Sequence, residues 1–445
     1  MTKGLGRIAG ISFLLRLVAA GMTYVFVVAM ARMMSVADFG VVGTLMSGAL
    51  LFSVIGCVGQ RMALLRFVPP LIEINAPTEP IVNRAMRLAL TGNIIVFLIL
   101  ALSVYSAQLL GIVDNAKWII FGCLVIPLTG VIDMQSHLAR AYQSIVIAIA
   151  PKDILWRLIS LLAIGSIFWV TEKHVDLPVT LVTLVSVLVI LIAIQSALMS
   201  RFIGTFGLLQ AIKRPINFDD TSDWRASVKP LWISSVGAIV FTNIDVVFAG
   251  ILIGPEAAAI YFSANRLALV PSIFLTSYNI VVGPLFSGHF SSGRKDEMRR
   301  IANSATLQVF IPTLAVITPL FVFSDTMLTM FGTEFSQGSE VLRWLLLAAL
   351  LNAALGPNDL ILNMCGQEGS AMKSAIIGLC IGGALIFLGA VSQNIVVLSA
   401  STFASVLLQR IVSWAFVRLH FGFSADIISA LRLTYKKGSL HGRTD

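Results

Sequence analysis

Charged side chains make up only 12% of the 445 residues, about half the share of an ordinary soluble domain, while 57% are hydrophobic and the mean hydropathy is +0.92. A soluble fold of this length would leave too much apolar surface in water, so the chain takes lipid as its solvent. Cysteine is scarce too. Cys57, Cys123, Cys365 and Cys380 stand singly in apolar runs without CxxC spacing, which excludes a disulfide framework or zinc site and leaves them as small core residues. The five histidines, His137, His174, His289, His420 and His441, are dispersed, none with a carboxylate and nucleophile at a catalytic spacing. The SxxK of Ser370 and Lys373 is too short a pattern to carry weight. No Walker A signature is present, so nothing points to nucleotide hydrolysis. These absences argue against an enzyme, including a membrane polysaccharide polymerase, whose catalytic acids call for longer outer loops than this chain offers.

What the sequence does have is long apolar runs. About 20 apolar residues cross the hydrocarbon layer as a helix, and such runs lie near 9–31, 40–60, 85–111, 117–136, 153–171 and 178–200. After a polar stretch a second set follows near 230–253, 258–283, 303–324, 339–359, 372–391 and 394–417. Twelve spans place both termini on one side. With that topology 24 of the 31 basic residues fall on the side of the termini and four on the other, with Arg16, Arg266 and Arg410 inside spans. This asymmetry is the positive-inside pattern and makes the termini cytoplasmic. It also explains the net charge of +9 without nucleic acid. The N-terminus, with Lys3 and Arg7 before an apolar run and no small-residue cleavage site, reads as a retained helix. Asp219, Asp220 and Asp223 read as solvated linker, and the tail around Arg432, Lys436 and Lys437 as a basic segment able to lie on the membrane surface.

The halves repeat. Lys117 to Asp133 lies over Arg343 to Asp359 at an offset of 226, matching Trp118 with Trp344, Gly130 with Gly356 and Asp133 with Asp359. Met34 to Leu45 lies over Ile253 to Ala264 at an offset of 219. Six spans in each half give both the same orientation, the arrangement that permits alternating access. The expected organisation is residues 1–212 as one six-helix bundle, 213–229 as a cytoplasmic linker, 230–420 as a second bundle and 421–445 as a cytoplasmic tail.

Ionisable groups inside spans cost about 2.5–3.5 kcal/mol each on insertion scales and need a partner or a wet cavity. Arg16 lies roughly 10 Å into the first helix, on a small and polar face with Ser12, Ala19 and Thr23. Its guanidinium is a phosphate contact, half of a structural ion pair or a snorkelling arginine. Asp245 and Arg266 flank the turn at Gly254 and Pro255 at similar depth, placed to pair across the hairpin as a coupling device or a static bridge. Asp133, Asp359 and Arg410 sit toward the cytoplasmic ends of their helices, within reach of water, as inner-gate or helix-end polar residues. Arg61 and Arg66, in the loop after the second span, are placed to attract a phosphate or to serve only the charge asymmetry. Gly378 and Gly382 form a GxxxG read as close helix packing, and Pro127, Pro271 and Pro312 fall inside spans as candidate kinks.

Several stretches resemble the polysaccharide-transporter branch of the MOP exporter superfamily, which includes the Wzx-type O-antigen flippases. They are ARMMSVADFG and GQRMALLRFVPP in the first half, then NIDVVFAGILIGPEAAAIYFSANRLALVPS and VVGPLFSGHFSSGRKDEMRR in the second, together with MFGTEFSQGSEVLRWLLLAALLNAALGPNDLIL. Ala259 departs from a more usual glycine before Ile-Tyr, a packing variation. The resemblance implies an all-α membrane protein of about twelve helices in two pseudo-symmetric six-helix bundles, V-shaped around a cationic cavity. The implied activity is flipping an undecaprenyl-diphosphate-linked oligosaccharide across the bacterial inner membrane, without a cofactor and with proton or sodium coupling. The partners implied are membrane lipid and the polymerase and chain-length regulator of the same pathway. The alternative within the superfamily is a cation-coupled multidrug antiporter. Arg16, Arg266 and Arg410 against one deep carboxylate, Asp245, favour the anionic substrate.

Overall fold

The computed structural model describes residues 2–111, 116–202 and 222–432. The expected linker residues Lys213, Arg214, Asp219 and Asp220 and the tail residues Lys436, Lys437 and Arg443 lie outside the described residues. Every regular element among the described residues is a helix. Among the described residues ten helices are long and apolar enough to cross a membrane, and two bent pairs bring the number to as many as twelve, each pair counted as one span. All twelve fall on the twelve apolar runs of the sequence.

The first half comprises α1 (Thr2–Met33), α2 (Val36–Gly56), α3 (Gln60–Glu73), α4 (Glu79–Leu109), α5 (Ala116–Gly122), α6 (Val125–Ala141), α7 (Ile145–Ile149), α8 (Trp156–Thr171) and α9 (Leu177–Phe202). The second comprises α10 (Ser222–Phe248), α11 (Pro255–Ala268), α12 (Ser272–Ser291), α13 (Lys295–Val322), α14 (Ser324–Thr329), α15 (Ser339–Ala354), α16 (Asn358–Met364), α17 (Glu368–Ile377), α18 (Gly383–Val391) and α19 (Ile395–Phe421). α5 and α6 share one span, as do α7 and α8 and again α17 and α18. A π turn at Ala150–Leu155 joins α7 to α8, another at Ala249–Ile253 ends α10, and a third at Gly378–Gly382 joins α17 to α18.

Large apolar side chains face outward. Leu98, Ile99, Leu102 and Tyr105 of α4 are 52–65% exposed and Trp169 of α8 is 83% exposed. Continuous apolar surface on this scale marks contact with acyl chains. The chain is therefore a multi-pass membrane protein.

Backbone punctuation sets where the spans start and bend. Ser35 caps α2 by accepting from the Asp38 N–H at 3.1 Å, and Asn394 caps α19 through the Val396 and Val397 N–H groups. Pro271 stands at the 49° bend between α11 and α12, as its missing donor requires. Gly356, with φ of +68°, and Pro357 make the 45° bend before α16. Pro127 falls in the first turn of α6, where an N–H has no intrahelical acceptor, and α13 runs on through Pro312.

The chain parts into two compact units, Met1–Ala259 and Ile260–Asp445. In the first, α2 packs on α4, α6 and α10. The connection after the second span is not an open loop. It folds as α3, because Ala63, Leu64 and Val68 fall on one helical face and bury completely against Val82, Ala85, Met134 and Leu138. The start of α2 lies so close to the start of α11 that a Cβ at Gly40 would sit 1.7 Å from the Pro255 carbonyl oxygen and 3.1 Å from the Ala259 nitrogen. Gly40 and Ala259 are repeat mates at the offset of 219, and the missing Cβ of Gly40 leaves room for the backbone of Pro255 and Ala259.

In the second unit, α13, α15 and α19 pack together, and α12 and α16 add Val282, Phe286, Ile361 and Leu362 to a cluster with Val417 and Phe421. Gly422, with φ of +75°, ends α19 and turns the chain back, so that Phe423 and Ala425 bury in the same cluster. Ser405 of α19 donates to the Gly382 carbonyl at 2.8 Å, where the GxxxG of the π turn brings the two helices together. Asp426 then anchors the chain. Burial opposes its ionisation, but hydrogen bonds from Trp414 Nε1 at 3.0 Å and from the Ser429 N–H at 2.8 Å outweigh this and hold its carboxyl below the ordinary range.

Two outcomes follow. Gly40→Val should destabilise the first unit by about 3 kcal/mol, read as a lower melting temperature in detergent, with Gly40→Ala intermediate. A carboxyl with a depressed pKa contributes stability that is complete at neutral pH and lost only as pH falls below the usual range of about 4. Residues 423–432 should accordingly keep their protection from hydrogen exchange at pH 5, lose it at lower pH, and lack it at pH 7 in Asp426→Ala.

Candidate functional site

The polar groups of the first unit gather around one carboxylate. Asp133 lies in the middle of α6 and is 2% exposed, not within reach of water as its place in the sequence implied. Arg61, on the first turn of α3, donates through Nη1 to Asp133 Oδ2, and Lys152, on the π turn, donates through Nζ to Asp133 Oδ1. These two long side chains close over the carboxylate and exclude solvent. His137, one turn along α6, donates from Nδ1 to the Asp133 carbonyl at 2.8 Å, and the same nitrogen stands 3.8 Å from Oδ1. A carboxylate in a low-dielectric interior is retained only with such partners.

Local structure explains why these residues meet. Gly59, in the left-handed region with φ of +74°, turns the chain sharply after α2 and brings Arg61 beside α6. Pro151 removes one donor from the helix ladder, and the wider π turn that results carries Lys152. Behind the ion cluster α6 and α9 share further polar contacts. Gln135 Nε2 donates to Ser196 Oγ at 2.5 Å, and Gln195 Nε2 donates to the Ile147 carbonyl at 2.9 Å and to Ser136 Oγ at 3.3 Å.

The cluster continues toward α1. Arg16 is half-buried and makes no hydrogen bond or ion pair with the described residues, while the charges of Arg140 and Asp153 act on it. Leu15 beside it packs on Ala139, Ala148 and Ile149. Arg157 donates to the Asp153 carbonyl at 2.5 Å and lies 5.5 Å from the Trp156 ring centroid. Arg16, Arg61, Arg140, Lys152 and Arg157 thus outnumber Asp133 and Asp153 by three charges. An excess of that size in a lipid-bounded region attracts anions. Arg66 stands apart, exposed on α3 with its guanidinium 5.7 Å from the Phe67 ring centroid.

The second unit holds the repeat mate. Asp359, at the start of α16, accepts from Arg410 Nη1 at 2.6 Å and from the Ser413 hydroxyl, which contacts Ser374 Oγ at 2.7 Å. This carboxylate is more open than Asp133, its side chain 32% exposed against 4%. Arg266, on α11, is half-buried with its guanidinium 4.5 Å from the Phe262 ring centroid. Asp245, in the first unit, is 1% exposed, and its Oδ1 accepts from the Val246 N–H at 2.9 Å.

The sequence singled out Arg61 and Asp133 separately, and the structure joins them. It also adds Lys152, Arg140 and Arg157, which sequence reading assigned to cytoplasmic charge asymmetry. The signal for Lys152 was Pro151 beside it, a helix breaker at the edge of an apolar run. Among the described residues no group of three His, Cys, Asp or Glu side chains is placed to hold a metal ion.

Comparison with known proteins agrees with this architecture. The profile of the family described as "Polysaccharide biosynthesis protein" matches residues 5–290, and the one described as MatE matches residues 230–388. No curated protein matches by sequence. Among solved structures, the inward-facing conformation of a multidrug resistance MATE family transporter of the MOP superfamily is similar with a TM-score of 0.64 at 13% identity, over 92% of this chain and 94% of that one. The outward-facing conformation of such a transporter gives 0.59 at 11% identity over 93% and 95%, and a MATE in complex with MaD5 gives 0.66 at 11% over 93% and 96%. An all-helical membrane fold like that of the MATE structures, the MatE profile and a family profile over residues 5–290 converge: this protein is a transporter of the MOP superfamily and belongs to the polysaccharide biosynthesis protein family.

Proposed function

We propose that this transporter moves an undecaprenyl-diphosphate-linked oligosaccharide from the cytoplasmic to the outer leaflet of a bacterial inner membrane, by alternating access, for surface polysaccharide synthesis. The observation that carries this reading is the surplus of basic groups in the first unit, with Arg16 half-buried and without a hydrogen bond or ion pair among the described residues. A guanidinium offers forked donors matched to phosphate oxygens, and a lipid-linked diphosphate is an anion that must cross the bilayer's apolar layer. Arg61, Arg66 and Arg266 join Arg16 as proposed substrate contacts, and Asp133, Asp245, Asp359 and Arg410 are proposed gating or coupling groups. Proton or sodium movement supplies the energy in this reading, with both termini cytoplasmic and the polymerase and chain-length regulator of the pathway as partners.

The MatE profile over residues 230–388 favours a second reading, cation-coupled export of drugs. A cationic drug needs carboxylates free to receive it, whereas Asp133 and Asp359 already hold Lys152, Arg61 and Arg410. The charge balance therefore supports the anionic substrate.

The test separates the two. Arg16→Ala should insert and fold normally, yet lipid-linked oligosaccharide should accumulate on the cytoplasmic side and surface polysaccharide fall at least tenfold, the scale of about 1.4 kcal/mol lost at a phosphate contact. Normal surface polysaccharide together with altered drug resistance would favour the second reading.

A further inference from the structure

The carboxylate of Asp133 receives one cation on each oxygen, Lys152 on Oδ1 and Arg61 on Oδ2. A phosphate bound at the same place would receive the same two donors. The exposure is graded: the Arg61 and Lys152 side chains are 13% and 22% exposed, and that of Asp133 only 4%. An incoming anion therefore meets the outer faces of the two cations before it meets the carboxylate behind them. The backbone is graded in the same direction. Asp133 sits in mid-helix, with its carbonyl held by His137 as well as by the helix. Arg61 follows the break at Val58 and Gly59, with φ of +45° and +74°, and Lys152 rides on the π turn. The anion thus stands inside a regular helix, whereas one cation follows a left-handed turn and the other stands on a π turn, so the two are brought to it by breaks in the helical backbone.

We propose that Asp133 is an internal stand-in for the phosphate of the substrate. It holds Arg61 and Lys152 while the site is empty, yields them to the diphosphate on binding, and recaptures them as the substrate leaves. This rests on the anionic-substrate reading above and adds a role to it. Two cations left bare in a lipid-bounded region would hold a diphosphate too tightly for turnover; a resident carboxylate lowers the free energy of the emptied site and so speeds release. Arg16, Arg140 and Arg157 keep the region cationic with Asp133 in place, so attraction of the anion survives. Asp359 does not share the role, since it holds one cation and a hydroxyl.

The experiment compares the full-length protein in detergent with Asp133→Asn, Asp133→Glu and the charge-balancing pair Asp133→Asn with Lys152→Gln. Inorganic diphosphate and a short-chain polyprenyl diphosphate are the probes, at ionic strength fixed with chloride. Asp133→Asn should bind inorganic diphosphate about tenfold tighter than wild type, while Asp133→Glu and the balanced pair stay near the wild-type value. Asp133→Asn should also gain more thermal stability from diphosphate than wild type does, because the added anion takes the vacant place. This readout holds even if the variant is unstable alone. Flipping by Asp133→Asn should slow at release, with substrate retained on the protein. Equal or weaker diphosphate binding by Asp133→Asn, or stabilisation no greater than chloride supplies, would overturn the stand-in. If Asp133→Asn binds inorganic diphosphate more tightly but no form of the protein binds the polyprenyl diphosphate, the stand-in holds and the lipid-linked substrate fails.

Discussion

An ionised carboxylate in the hydrocarbon layer has no water to hydrate it, and bringing one there is tolerable only where opposite charge and hydrogen-bond donors surround it. Asp133 meets that condition with Arg61, Lys152 and the neighbouring His137, drawn from α3, the π turn and α6 itself. Much of the first unit's irregular backbone serves this meeting. The left-handed turn at Gly59 directs α3 inward, and the π turn after Pro151 places Lys152 at the same point. The apolar packing of Ala63, Leu64 and Val68 then keeps α3 where Arg61 is needed.

The repeat shows how duplicated scaffolds diverge at their charges. Asp133 and Asp359 occupy equivalent positions, yet Asp133 is closed over by two cations and Asp359 is shared between one cation and a hydroxyl. Neither Arg410 nor Lys152 has a basic counterpart at the offset of 226. The helical frame tolerates this because its stability rests on buried apolar contacts and internal backbone hydrogen bonds, which the offset preserves. Chemistry is written on the frame at a few positions.

Close approach matters as much as charge. Lipid gives helices little hydrophobic reason to associate with one another, so packing relies on small residues that let backbones meet. Gly40 against Pro255 and Ala259, and Gly389 against Leu398 and Ser401, are contacts of this kind.

Hydropathy and the placement of basic residues determined the membrane class and the apolar spans, because burial in lipid acts on every residue of a span and leaves a signal some 20 residues long. The same signal hid the site. Lys152, Arg140 and Arg157 fit the charge asymmetry so well that nothing marked them as parts of a cluster, and Arg61 looked like loop because a short amphipathic helix is too brief to announce itself by length. An ion pair is a contact between two points far apart in the chain, 72 residues for Arg61 and Asp133, and no local periodicity records it. Only the tertiary structure, by folding α3 and the π turn onto α6, decided which charges neutralise one another and which remain to meet a substrate.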